Sequence, residues 1–296
     1  MSSATQSVGR HNNSGITPWY RIRRGFLVFL KYLSLAFFSF WFLLPVASCF
    51  ITAAKTKQEY QTTSVMQMPK NWLNFQNYAD AFSAASMGTA FRNSAIVLVV
   101  VLICTTIIGT MLAYVLSRFQ FPGNGLIRGM FMIAALLPGI AMQVALYKIM
   151  VNLNAVNTLW GYIVMMMGTD VISIYVFIQF FENLPISLDE AAIVDGASYL
   201  TVYWKILLPN IKPAIVTCLI LKGVTVYNEY YAANLYLQDV NLRTVAVALY
   251  TFTGPMGSQY NLICAGVILT LLPMLILFLL FQKQIYNGVA AGAVKE

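Results

Sequence analysis

The chain has 296 residues, 59% of them hydrophobic and only 9% charged, with a net charge of +8. Soluble domains are about a quarter charged, so this composition excludes an ordinary water-soluble globule, and the positive charge reads as membrane topology rather than as a nucleic-acid surface. A single histidine, His11, and four cysteines standing alone in apolar segments (Cys49, Cys104, Cys218, Cys264) speak against a histidine-based metal site and against a C-x-x-C redox pair.

Residues 1–25 read as a polar, disordered tail rich in Ser, Asn and Gly, ending in Arg21, Arg23 and Arg24. An apolar run over 26–54 predicts span one. Val46-Ala47-Ser48-Cys49 imitates a lipoprotein cleavage box, but the long polar lead and the spans that follow favour an uncleaved helix. A mixed loop, 55–86, leads to span two at about 87–116 and a short basic turn, Ser117 to Asn124. Span three covers about 126–150 and carries a predicted kink at Pro138-Gly139. Gly125-x-x-x-Gly129 has the spacing of a small-residue helix contact, although the neighbouring Pro122-Gly123 turn accounts for Gly125 equally well. Spans four, five and six follow at about 159–181, 211–236 and 260–281. Blocks of this length cross a bilayer as helices, which satisfy their own backbone groups in hydrocarbon.

Sorting Lys and Arg by side puts eleven on one set of segments and six on the other, with Lys222 inside span five. The bias places both termini in the cytoplasm. The chain is therefore expected to be an all-α membrane protein: six transmembrane helices, with two short helices in the long cytoplasmic connection between spans four and five.

That connection, residues 182–213, is the most informative stretch. Ser187 and Glu190 have capping-box spacing, which predicts a helix from Leu188 with Asp189 and Glu190 in its first turn. Gly196 suits the left-handed position that ends such a helix. A second short helix is expected from about Ser198 to Leu207, stopped near Pro209. Ala191, Ala192 and Ile193 offer a small, smooth surface suited to a groove on a partner.

Glu190-Ala191-Ala192, Gly196 four residues on, and Ile206-x-Leu208-Pro209 together resemble the EAA loop of ATP-binding cassette importer permeases. Three further stretches are similar to the carbohydrate branch, the maltose-permease G-type subunits: Tyr114 to Gly123, Asn228-Glu229-Tyr230, and Asn287 to Lys295. The resemblance covers roughly 88–296, with its core at about 88–285, inside a permease domain of 26–296. It implies a multi-pass protein of the bacterial cytoplasmic membrane. Its partners would be a second, non-identical permease, two copies of an ATPase and an extracytoplasmic sugar-binding protein. ATP-Mg would be used by the ATPase, with no cofactor in this chain. The ATPase-coupling residues it implies are Asp189, Glu190, Ala191, Ala192, Asp195, Gly196, Ile206, Leu208 and Pro209. No G-x-x-x-x-G-K-S/T phosphate loop is present, which suits a transport subunit whose ATPase is a separate chain.

Ionisable groups at membrane depth mark wet interiors. Lys222 and Glu229, seven residues apart, are expected to share one face of span five about 10 Å apart, with Asp170 in span four. Tyr227, Asn228 and Tyr230 beside them form a kit suited to sugars, although tyrosines at the end of a span also form interfacial belts. An ion-coupled secondary transporter using Asp170, Lys222 and Glu229 is the alternative, and the full EAA spacing argues against it.

Overall fold

The computed structural model describes residues 18–168, 170–253 and 259–293. Most of the tail therefore lies outside the described residues. Residues 18–25, however, are helical, because the apolar run of span one recruits its basic leader into the same helix: α1 is Pro18–Ala54. Two short helices, α2 (Lys57–Thr62) and α3 (Gln76–Ala84), occupy the loop after it. Then come α4 (Met87–Arg118), α5 (Asn124–Leu136), α6 (Gly139–Asn152), α7 (Leu159–Met166) and α8 (Val171–Glu182). The connection carries α9 (Ser187–Val194) and α10 (Tyr199–Asn210). The chain closes with α11 (Lys212–Tyr227), α12 (Tyr231–Tyr236), α13 (Val245–Ala248) and α14 (Tyr260–Ala293). The last helix runs past the expected end of span six.

Among the described residues, three helical stretches are long and apolar enough to cross a membrane unaided: Arg23–Ala54, Met87–Arg118 and Tyr260–Lys283. The other spans are bent pairs. The pair α5 and α6 turns by 101° at Leu137-Pro138, and α10 turns by 76° into α11. The expected kink of span three is thus a near-right-angle break, since Pro138 removes a backbone donor where the helix would continue. Gly125 and Gly129 have open space around them, so their spacing makes no helix contact within this chain.

Helix α4 is the hub. It packs most extensively on α8 and also against α7, α11 and α13. Gly109 permits the closest approach, because a Cβ there would meet the Phe177 ring at 3.3 Å. A buried cluster on the α9–α10 side joins Tyr114, Phe177, Phe181, Tyr203 and Leu207. A second cluster on the opposite side joins Val97, Tyr162, Val226 and Tyr236. Helix α1 packs along α14 and leaves Phe29, Leu33, Phe40 and Trp41 exposed. Such a surface suits lipid or another apolar chain, not water.

Candidate coupling loop and membrane-embedded polar sites

The segment 182–213 forms the predicted pair of short helices, with different chemistry at its start. The capping box is not made: Ile186 occupies the cap position with no side-chain bond, and the Ile186 carbonyl accepts from the amides of Asp189 and Glu190. Pro185 lets the preceding backbone supply those acceptors in place of Ser187. The end of the helix follows expectation. Gly196 sits at φ +86°; its amide donates to Ile193 O, and that of Ala197 donates to Ala192 O. This is the paired bonding of a Schellman stop.

Ser198 then caps α10 by accepting from Thr201 N at 3.3 Å. The helix does not stop at Pro209. It widens over Val202–Leu207 into a π-helical stretch, and Pro209 falls in the regular turn that follows. Pro209 has no N–H to offer the residue four before it, and the ladder shifts to i→i−5 bonding ahead of it, with Leu208 N reaching Tyr203 O.

Burial divides the expected coupling residues. Glu190, Ala191, Asp195, Gly196 and Pro209 are exposed. Ile206 and Leu208 are half-buried against the cluster beneath the loop. Ala192 turns inward to that cluster, so the smooth surface expected of Ala191, Ala192 and Ile193 is not continuous. In its place a crest of apolar side chains flanks the Gly196 bend: Leu188, Ile193, Tyr199 and Leu200 are exposed, and Val194 is 86% exposed.

Asp189 also faces inward, towards Arg118 at the end of α4. Arg118 Nε lies 2.7 Å from Asp189 Oδ2, with side chains only 7% and 12% exposed. Arg118 Nη2 donates to Leu184 O at 3.0 Å. The Nε–H is not aligned as a hydrogen bond, and Asp189 Oδ1 has no hydrogen-bond partner among the described residues. Burial pushes the Asp189 carboxyl above its ordinary value of 3.8, against the opposing pull of Arg118, and neighbouring Glu190 pushes it further up. The cost of burial thus opposes the attraction within the pair.

Two further bonds tie the loop to α4. Tyr114 OH donates to Tyr199 O at 3.3 Å, and the hydroxyls of Thr110 and Tyr203 lie 2.7 Å apart. The C-terminal carbonyls of α4 are closed from the following turn: Asn124 Nδ2 donates to Leu116 O and Phe119 O. Arg128 donates to Leu116 O and pairs with Glu182 at 2.8 Å. The contributions of Thr110, Tyr114, Arg128 and Tyr203 were not recognised from sequence. The readable signal was a polar residue every fourth position at the end of an apolar span: Thr110, Tyr114, Arg118.

The residues expected to line a pathway separate into two places. Lys222 lines a cavity of about 10 Å³ between α4, α8 and α11, with Thr105, Ser173 and Cys218. Asp170 is beside it, accepting from Ser173 Oγ at 2.7 Å. Thr105, also in the lining, has a buried hydroxyl with no hydrogen-bond partner among the described residues. Glu229 is elsewhere, because span five breaks after Tyr227. Its Oε1 accepts from Ala232 N at 2.8 Å and so starts α12. The shared face expected of Lys222 and Glu229 therefore fails: the helix whose periodicity would align them ends between them. Tyr227 OH donates to Thr270 O at 2.8 Å, tying span five to α14. Asn228 Nδ2 bonds back to Val224 O and its side chain is exposed. Tyr230 stacks on Tyr250 with centroids 4.0 Å apart. Among the described residues no His, Cys, Asp and Glu cluster could hold a metal.

Residues 105–287, more than half of the chain, match the model of the family described as binding-protein-dependent transport system inner membrane component. The chain belongs to this family. Relatives agree over most of their length. The trehalose/maltose transport system permease protein MalG of Thermococcus litoralis is 34% identical over 206 residues, covering 69% of this chain and 74% of that protein. The melibiose/raffinose/stachyose import permease protein MelC of Bacillus subtilis is 29% identical, covering 85% and 91%. A probable starch degradation products permease, AmyC of Thermoanaerobacterium thermosulfurigenes, is 28% identical, covering 90% and 96%. Among solved structures, a bacterial ABC transporter involved in the import of the acidic polysaccharide alginate shares the fold, with a TM-score of 0.79 over 92% of this chain and 99% of that one at 19% identity. The chain is thus a multi-pass transport subunit of an importer whose ATPase is a separate chain. That membership displaces the ion-coupled alternative.

Proposed function

We infer that this permease forms half of the translocation pathway for a sugar, of the di- or oligosaccharide class, and couples to its ATPase through residues 187–210. The observation that carries the reading is the apolar crest around Gly196. Leu188, Ile193, Val194, Tyr199 and Leu200 stand exposed on a connection outside the membrane, while Asp189, Ala192 and Tyr203 are locked into the core behind them. An exposed apolar rim on a rigidly backed element suits a partner's groove. Exposed Glu190 supplies a charged contact at its edge. The sugar class rests on the named relatives.

The partners in this reading are a second, non-identical permease, two ATPase copies using ATP-Mg, and an extracytoplasmic sugar-binding protein, with both termini in the cytoplasm. Tyr227, Asn228, Glu229, Tyr230, Lys222 and Asp170 line the sugar's route. The exposed Asn228 amide and the Tyr230–Tyr250 stack offer direct contact; Tyr227 and Glu229 hold the broken span in shape. Lys222 and Asp170 flank the small chamber deeper in the bundle.

The test is to tag the chain, extract it gently from its native membrane and identify what accompanies it. A second permease and an ATPase, with ATP hydrolysis stimulated by a sugar-loaded binding protein, is the expected result. Recovery of this chain alone, with ion-driven uptake in vesicles lacking ATP, would overturn the reading.

A further inference from the structure

Three polar side chains of α4 meet the coupling loop, and they recur every four residues. Thr110, Tyr114 and Arg118 therefore form one stripe down a single face of the helix, spanning about 12 Å at 1.5 Å per residue. Each holds a different part of the loop. Thr110 meets Tyr203 in the wide π-helical turn. Tyr114 holds the Tyr199 carbonyl at the start of α10. Arg118 holds Asp189 in α9 and the Leu184 carbonyl ahead of it. Both short helices, on either side of the Gly196 bend, are thus fastened to the same transmembrane helix. The rings of Tyr114, Phe119, Tyr199 and Tyr203 fill the space between the attachment points, with centroid separations of 5.3 to 5.5 Å.

We propose that α4 is the lever through which the loop drives the pathway, and that Arg118 is the positioning residue that transmits the loop's displacement to it. The inference rests on the importer reading above. The physical argument has two parts. A loop fixed at one point can pivot, whereas a loop fixed at three points along 12 Å carries the helix with it. The fastening is also the right kind to shift between two arrangements. The Arg118–Asp189 contact is buried but off-line, and Asp189 Oδ1 is unpaired, so a small rotation of α9 can exchange one arrangement for another. The next turn of the same helix carries the load onward: Thr105 and Thr106, with residues of α8 and α11, wall the chamber beside Lys222 and Asp170.

The experiment uses the assembled transporter in proteoliposomes and reads sugar moved per ATP hydrolysed, together with the yield of assembled complex. Arg118→Ala and Asp189→Ala are each expected to lower the ratio about tenfold, within the usual span of coupling between sites. The double variant should fall no further, because the two side chains act as one unit. Tyr203→Phe, which removes a single oxygen, should lower the ratio about twofold. An unchanged ratio in Arg118→Ala, additive losses in the double variant, or reduced yield at a normal ratio would each overturn the inference. If Arg118→Ala yields no complex, Tyr203→Phe decides: a lowered ratio supports the lever, and a normal one removes it. Wild-type uptake that proceeds without ATP would overturn both this inference and the importer reading; a fault confined to the variants touches this inference alone.

Discussion

The two faces of the bundle carry polar connections built on opposite plans. On one face, residues 55–86 close upon backbone carbonyls. Lys55 is fully buried, and its ammonium donates to Ser64 O and Val65 O. Asn77 donates to Ala53 O and Lys55 O and accepts from Asn261 of α14. Glu59 accepts from Lys70 N at 2.7 Å. Its principal polar groups have partners, and the whole segment is stitched to the ends of α1 and α14. On the other face, residues 187–210 attach through side chains to the flank of α4, around an ion pair that leaves Asp189 Oδ1 unbonded. The first plan anchors through backbone carbonyls, although Asn261 Oδ1 in that network is itself unbonded among the described residues. The second anchors through side chains of one transmembrane helix, so displacing the loop pulls on that helix.

Several substitutions can break or sharpen this contrast. The largest effect is expected at Gly196. Its φ of +86° disfavours any side chain there, although the space beside it is open. Gly196→Val should abolish ATP-driven uptake while the protein still inserts in the membrane, and Gly196→Asn, which tolerates the left-handed region, should retain part of it. Uptake and membrane yield measured together check the ordering; equal activity in the two variants would remove the conformational argument.

Next comes Lys55→Met. It removes the ammonium that donates to Ser64 O and Val65 O; Ser64 O keeps the amide of Gln67, so the loss is about 1.5–3 kcal/mol, that of hydrogen bonding by a charged group. Thermal stability of the extracted complex should fall, while sugar moved per ATP stays normal. A fall in that ratio would mean that this segment is a moving part as well.

A smaller effect is expected from acidity. Because burial raises the Asp189 carboxyl above 3.8, the folded loop holds that proton more tightly than the unfolded chain does. Its contribution to stability is full below 3.8 and declines as pH rises through the raised value. Asp189→Asn should flatten that decline in thermal-shift measurements across the acidic range; an unaltered profile would show that another group is responsible.

The smallest effect belongs to Thr105→Val. The change is nearly isosteric and removes a buried hydroxyl that has no partner, so melting temperature should hold or rise slightly. A clear drop would show that the hydroxyl is bonded within the chamber.

Much of this architecture is legible in the sequence, for physical reasons. Long apolar blocks must be helices in hydrocarbon, so the spans could be placed from composition alone. Gly196 could be read because only one backbone conformation ends a helix in that manner. The loop's attachment was harder. Asp189 and Glu190 are adjacent acids in one first turn, and nothing in their spacing says that one turns in towards Arg118 while the other stays out. That is settled by which face of α9 the aromatic cluster covers. The break after Tyr227 was hidden for a similar reason: Asn228 and Glu229 read equally well as polar residues on one face of a continuous helix, whereas Asn228 closes the helix on Val224 O and Glu229 accepts from Ala232 N to start the next. Ser187 misled because Ile186 and Pro185 already meet the backbone's needs.

The wide turn at Val202–Leu207 has a further consequence, in the phase of the chain. A stretch of i→i−5 bonding is equivalent to a regular helix with one residue added, and one residue is about 100° of rotation. The rest of α10, as far as Asn210, is dialled round by that amount before the chain makes its 76° turn into α11. Deleting one residue between Val202 and Leu207 would return a plain helix and swing Leu207 away from the buried cluster it now fills. The phase in which the loop reaches the fifth span is thus set by a single residue.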